Sequence, residues 1–283
     1  VRESSNPVFR SLPKQSGGYA TFGSGMAGAA AAQVHQGYPP SIDQRVQRGV
    51  SRPLTIDDVV TKTGITLVVL SVSAVISYFL VSSNLALAMP LALGGGLAGM
   101  VLVFIAVFAR KQDNPAIVLS YAVLEGLFLG AVSFLLANFT VGGQQGANAG
   151  SLIAQAILGT IGVFAGMLFV YKTGAIRVTP KFTRMLFAGM IGVLVLMIGN
   201  LIMGLFTDAA GPLRDGGPLA IIFSLVCIAL AAFSFLLDFD AADQMIRAGA
   251  PEKAAWGIAL GLTVTLVWLY LEILRLLSYF QND

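Results

Sequence analysis

From residue 64 onward the chain is built of long apolar runs separated by short polar breaks. The runs fall at about 64–82, 86–109, 115–138, 151–171, 183–206, 217–237 and 255–278. Each approaches the roughly 20 residues that an α-helix needs to cross hydrocarbon. The breaks, at 82–84, 110–115, 142–150, 172–184, 208–218 and 238–253, are polar or rich in Gly and Pro. None of the runs alternates polar with apolar residues, and all are longer than the roughly 9–11 residues of a barrel strand. The pattern predicts an all-α membrane protein, a bundle of seven transmembrane helices lying in a lipid bilayer.

Residues 1–61 read differently. They are rich in Gly, Ser, Pro and Gln and have no sustained periodicity, so a mostly disordered tail is expected there. An ordered lead-in is expected at 53–62, with Thr55 or Asp57 capping a short helix. The helical domain is then 62–283. No signal peptide is visible ahead of the first long run. Lysine and arginine set the orientation: fifteen of the seventeen lie ahead of the first run or in the second, fourth and sixth connections. The positive-inside rule makes that side cytoplasmic, with the amino terminus inside and the carboxyl terminus outside.

Composition narrows the function classes. With 56% hydrophobic and only 11% charged residues, too much apolar surface is present for a soluble core to bury. A net charge of +3 carries no nucleic-acid signal. Cys227 is the single cysteine and lies in an apolar run, so neither a disulfide nor a Cys/His metal site is expected. The one histidine, His35, lies in the polar tail. No nucleophile, base and orienting group occur together, and no phosphate loop is present, so an enzyme is not expected.

Ionisable residues inside the runs cost about 2.5–3.5 kcal/mol each at a helix centre and need a reason to be there. Glu125 lies about ten residues into the third run, about 15 Å deep, in a structural or a functional role. Asp238 and Asp240 stand at the exit of the sixth run, with Asp243 following. They either mark a helix end in water or hold a cation or a proton. Glu272 lies deep in the last run with Arg275 three residues on, so the two can pair along one helix face. Asn200 is expected to donate a hydrogen bond between helices. Trp268, Tyr270 and Tyr279 are expected in an interfacial aromatic belt. Glycines at 94–96 and 99, and at 159, 162 and 166, are expected to let helices approach closely.

Taken together, these residues resemble the Bax inhibitor-1 family, and in particular its bacterial YccA-like branch. The resemblance rests on the seven runs, Leu124-Glu125-Gly126, Leu237-Asp238-Phe239-Asp240 and Trp268-Leu269-Tyr270-Leu271-Glu272. The opening Arg2-Glu3-Ser4-Ser5-Asn6-Pro7-Val8-Phe9 resembles actinobacterial members with a long amino-terminal tail. The resemblance implies a multi-pass protein of the bacterial plasma membrane with a central last helix. It also implies a pH-sensitive calcium leak controlled by acids of the last two helices. By position these are Asp238 or Asp240 and Glu272, a weak cation or proton site with no tightly held cofactor. The second acid is Glu where the family often has Asp. Glu272 also lies about 18 residues beyond Ala254, about 27 Å along an ideal helix, so a simple hairpin separates it from Asp238. Two carboxylates in one dry site cannot both ionise cheaply, so a proton or cation would alter the helix contact there. The alternative implied by the YccA-like branch is a regulator that binds a membrane protease or another membrane partner and transports nothing.

Overall fold

A computed structural model describes residues 52–138, 149–207 and 211–280, which belong to a compact unit over Val50–Asp283. The calls on 1–51, His35 included, lie outside the described residues. Among the described residues seven helices are long and apolar enough to cross a membrane. They are α1 (Ile56–Ser83), α2 (Ala88–Phe108, entered through a 3-10 turn at Leu85–Leu87), α3 (Pro115–Asn138), α4 (Ala149–Thr173), α5 (Pro180–Thr207), α6 (Pro218–Arg247) and α7 (Ala254–Phe280). Among the described residues no strand forms, only an isolated antiparallel bridge between Pro53 and Pro251.

Two boundaries differ from expectation. Thr55 does cap a helix, but that helix is α1 itself. Thr55 Oγ1 accepts from the Asp58 amide and Asp58 Oδ2 accepts from the Thr55 amide, a reciprocal cap that satisfies two orphan donors. The lead-in and the first span are therefore one 28-residue helix beginning at Ile56. At the other boundary α6 runs ten residues past 237, so Asp238, Asp240 and Asp243 lie within the helix and not at its exit. Loss of hydropathy ends a span but not a helix. Asp240 and Gln244, and Asp243 and Arg247, bond at i, i+4 and carry α6 on toward Gly249, whose φ of 65° turns the chain.

The last helix is the hub: α7 packs on α6, α1, α4 and α3, while α5 packs chiefly on α6. The largest buried cluster lies along α6 and α7, with Phe235 and Phe239 edge-on to Phe164 of α4. Large apolar side chains such as Phe108 and Phe206 point outward, as hydrocarbon surroundings allow.

Glycine explains how α3 fits between two neighbours. Gly126 and Gly130 face α1 so closely that a Cβ on either would strike α1 backbone, at Leu70 and Ala74 respectively. On α2, Gly95 lies against the backbone of Leu124 and Phe128, and Gly99 against the Glu125 carboxylate. Close approach was expected at Gly95 and Gly99 and is found there. Gly94, Gly162 and Gly166 instead face open space, and Gly159 only touches Ile273.

Candidate functional site

The second, fourth and sixth connections share one end of the bundle, here called the basic end. There α2 terminates with Lys111 N donating to Ala106 O and Arg110 N to Val107 O, a closure that needs a left-handed residue. Arg110 supplies it, with φ 52°, and is the one non-glycine residue at positive φ among the described residues. Such strain, typically about 1–3 kcal/mol, persists where the surroundings enforce it. Arg110 lines a cavity of about 380 Å³ with Gln112, Asp113, Asp238, Gly257 and Gly261. The two glycines leave one face of α7 bare, so Asp238 of α6 looks into open space. Its Oδ2 accepts from Thr265 Oγ1 at 2.7 Å. Among the described residues Asp238 has no ion-pair partner and no second hydrogen bond.

The rim is tied from two sides. Leu54 N donates to Ala250 O at 2.8 Å and Glu252 N to Arg52 O at 2.9 Å, so the residues ahead of α1 lie along the α6–α7 loop. Leu54 is buried in the α6–α7 core. Arg52 and Lys62 both approach Glu252, at 3.7 and 3.8 Å. Lys253 pairs with Asp113 at 3.0 Å, joining the same loop to the α2–α3 turn. The Lys253 ammonium holds the Asp113 carboxyl below its ordinary value.

Toward the opposite end Glu272 is 3% exposed and fully engaged. Its Oε1 accepts from Ser224 Oγ of α6 at 2.8 Å and its Oε2 from Arg275 Nη1 at 2.7 Å. The expected i, i+3 ion pair is therefore made. Arg214, on the α5–α6 connection, stands near this cluster. Burial, then the Arg275 charge, push its guanidinium below its ordinary value, and Glu272 opposes them. Glu125 is buried with its carboxylate in the space that Gly99 leaves, and has no hydrogen bond among the described residues. Asp240 accepts from Gln244, and Asp243 pairs with Arg247.

The acids named from the sequence thus do not converge. Thr265 and Glu272 are seven residues apart on α7, about 10 Å along its axis, and each engages a different level of α6. Asp240 lies on another side of α6. Neither Asp238 nor Asp240 pairs with Glu272, and no group of three His, Cys, Asp or Glu that could hold a metal occurs among the described residues. The expectation of an aromatic belt changes for two residues. Tyr270 is not in a belt: its hydroxyl bonds Ser133 Oγ of α3 at 2.8 Å inside the bundle, and Tyr279 is buried. Asn200 Oδ1 accepts from the Leu213 amide, holding the α5–α6 connection. The partners Thr265, Ser224, Gly257 and Gly261 were not singled out. Spacing carried their signal: 224, 231 and 238 recur every seven residues on α6, and 257, 261 and 265 every four on α7, so each set shares a face.

Seven apolar helices among the described residues, around a central last one, with Glu272 buried and Asp238 half-buried between the final two, define a polytopic integral membrane protein with polar groups inside its bundle. The family model for Bax inhibitor 1 like proteins matches residues 6–282, and the chain belongs to that family. It is also similar to uncharacterized membrane proteins from two strains of Streptococcus pyogenes serotype M3. Each is 27% identical over 199 residues, covering 67% of this chain and 74% of theirs.

Proposed function

We propose that this chain is a slow, pH-sensitive cation leak of the bacterial plasma membrane, with calcium as a cargo and the basic end facing the cytoplasm. The observation that carries the reading is the contrast between two carboxylates on the α6–α7 interface. Glu272 is neutralised by Arg275 and closed off by Ser224. Asp238 faces a cavity that Arg110, Gln112 and Asp113 also line, with one neutral hydrogen-bond partner and no ion-pair partner among the described residues. In this reading Asp238 is where a cation or a proton arrives, and the Ser224–Glu272–Arg275 cluster is the closed constriction beyond it. The charged groups around Asp238 are Arg110 and Asp113 of the α2–α3 turn, with Lys253 already paired to Asp113. Calcium prefers six to eight oxygens. Asp238, Thr265 and Gln112 offer few, so occupancy is brief and the ion stays partly hydrated, as a leak requires.

The test is calcium entry into dye-loaded proteoliposomes. Asp238→Asn is expected to lower flux severalfold and Glu272→Gln to raise it, because the latter releases Arg275 from the constriction. Wild-type flux in both variants would remove the leak reading. The strap at 52–54 favours a second reading, in which a membrane protease or another membrane protein engages residues 1–50 and acts on the α6–α7 loop. Deleting residues 1–50 separates the two, since a leak persists and tail-dependent binding is lost.

A further inference from the structure

We infer a binding site for one phospholipid acyl chain in a groove between α1 and α4, on the half of the bundle away from the basic end. α1 packs on α3 and α7, and α4 on α7, α6 and α3, but α1 and α4 are not packed on each other to any comparable extent. The gap between them is a cavity of about 540 Å³, walled by Ala74 and Tyr78 of α1 and Ile153 and Ile157 of α4, with Ser133 and Tyr270 at its floor. Leu129, Gly130 and Ser133 of α3 and Leu266 and Val267 of α7 also line it.

The chemistry of the wall selects the occupant. The Ser133 and Tyr270 hydroxyls bond each other, and Thr160 Oγ1 donates to Ala156 O, so these polar groups are satisfied within the protein. The Tyr78 and Ser71 hydroxyls also line the groove, but it has no charged side chain to hold a headgroup, and water in so largely apolar a cavity finds few of the two to four polar partners it needs. The groove is continuous with the lipid-facing surface: Val75, Phe79, Ile157 and Ile161 line it and are also exposed. In a bilayer the material at that surface is hydrocarbon, and a chain entering sideways fills the space that neither helix fills. Bulk lipid is as apolar as the groove, so retention comes from shape and packing and not from a hydrophobic transfer term. The inference is independent of ion conduction.

The test is native mass spectrometry of the full chain, reconstituted in palmitoyl-oleoyl phosphatidylglycerol vesicles and re-extracted in mild detergent. The wild type is expected to carry one retained phosphatidylglycerol per chain. Val75→Trp and Ile157→Trp, from opposite walls, are expected to lose it severalfold with unchanged melting. Leu194→Trp, on the exposed face of α5 outside the groove, is expected to keep it. Unaltered retention in either groove variant, loss in all three, no adduct on the wild type, or a chain dimer in place of a lipid adduct would each overturn the site.

Discussion

Glu272 and Asp238 are the same functional group in two different settings, and the settings decide what each can do. Glu272 and Arg275 form a nearly dry pair, with side chains 3% and 16% exposed. Breaking such a pair from one side leaves an uncompensated charge, at a cost of about 3–5 kcal/mol. Arg275→Met should therefore destabilise the detergent-solubilised protein by about that amount. Arg275→Met combined with Glu272→Gln should recover most of the loss, with thermal melting as the readout. The pair itself was legible, because a spacing of three on an apolar helix leaves few other partners. Ser224 and Thr265 were not, since serine and threonine inside apolar runs commonly bond their own helix and seldom announce a partner. Thr265 does both, donating to Gly261 O as well as to Asp238.

At the scale of elements, the packing of α3 rests on four glycines, its own Gly126 and Gly130 facing α1 and Gly95 and Gly99 of α2 facing it. Gly95→Ala or Gly126→Ala overfills a contact with neighbouring backbone that already excludes a methyl group, with an expected loss of about 1–3 kcal/mol. Gly162→Ala, in open space on α4, should be neutral or gain up to about 1 kcal/mol from reduced chain entropy. Melting of the three variants side by side checks the contrast, and equal effects would contradict it. The helix count and approximate spans were legible from hydropathy alone. The boundaries that failed, at Ile56 and Arg247, are those where a helix continues into water and is held by caps and i, i+4 pairs. Hydropathy does not register such contacts.

For the whole molecule, the proposed orientation puts the two termini on opposite sides with the basic end inside, and it is supported by the charge asymmetry and the odd number of spans. Cys227 is the single cysteine and is buried, so introduced cysteines report alone. An impermeant maleimide should label Ser82→Cys in intact cells and Lys111→Cys only after permeabilisation; the reverse pattern would invert the assignment. The central place of α7 came from the resemblance and not from hydropathy, since every span is apolar enough to cross the membrane. The cavity was not legible, because it is assembled from a turn, a loop and bare glycines far apart in sequence. The tie at its rim bears on pH. Asp113 is held below its ordinary value near 3.8, so its contribution is present above that value and lost only as pH falls through the lower folded one. On the proposed leak reading the pH response does not come from Asp113, and Asp238 faces the same cavity. The most direct test is the pH profile of calcium flux in proteoliposomes, from about pH 8 to about pH 5, for wild type, Asp113→Asn and Asp238→Asn. The wild type and Asp113→Asn should share a pH-dependent profile, while Asp238→Asn is flat. A profile in Asp238→Asn that follows the wild type would contradict the assignment of the proton site.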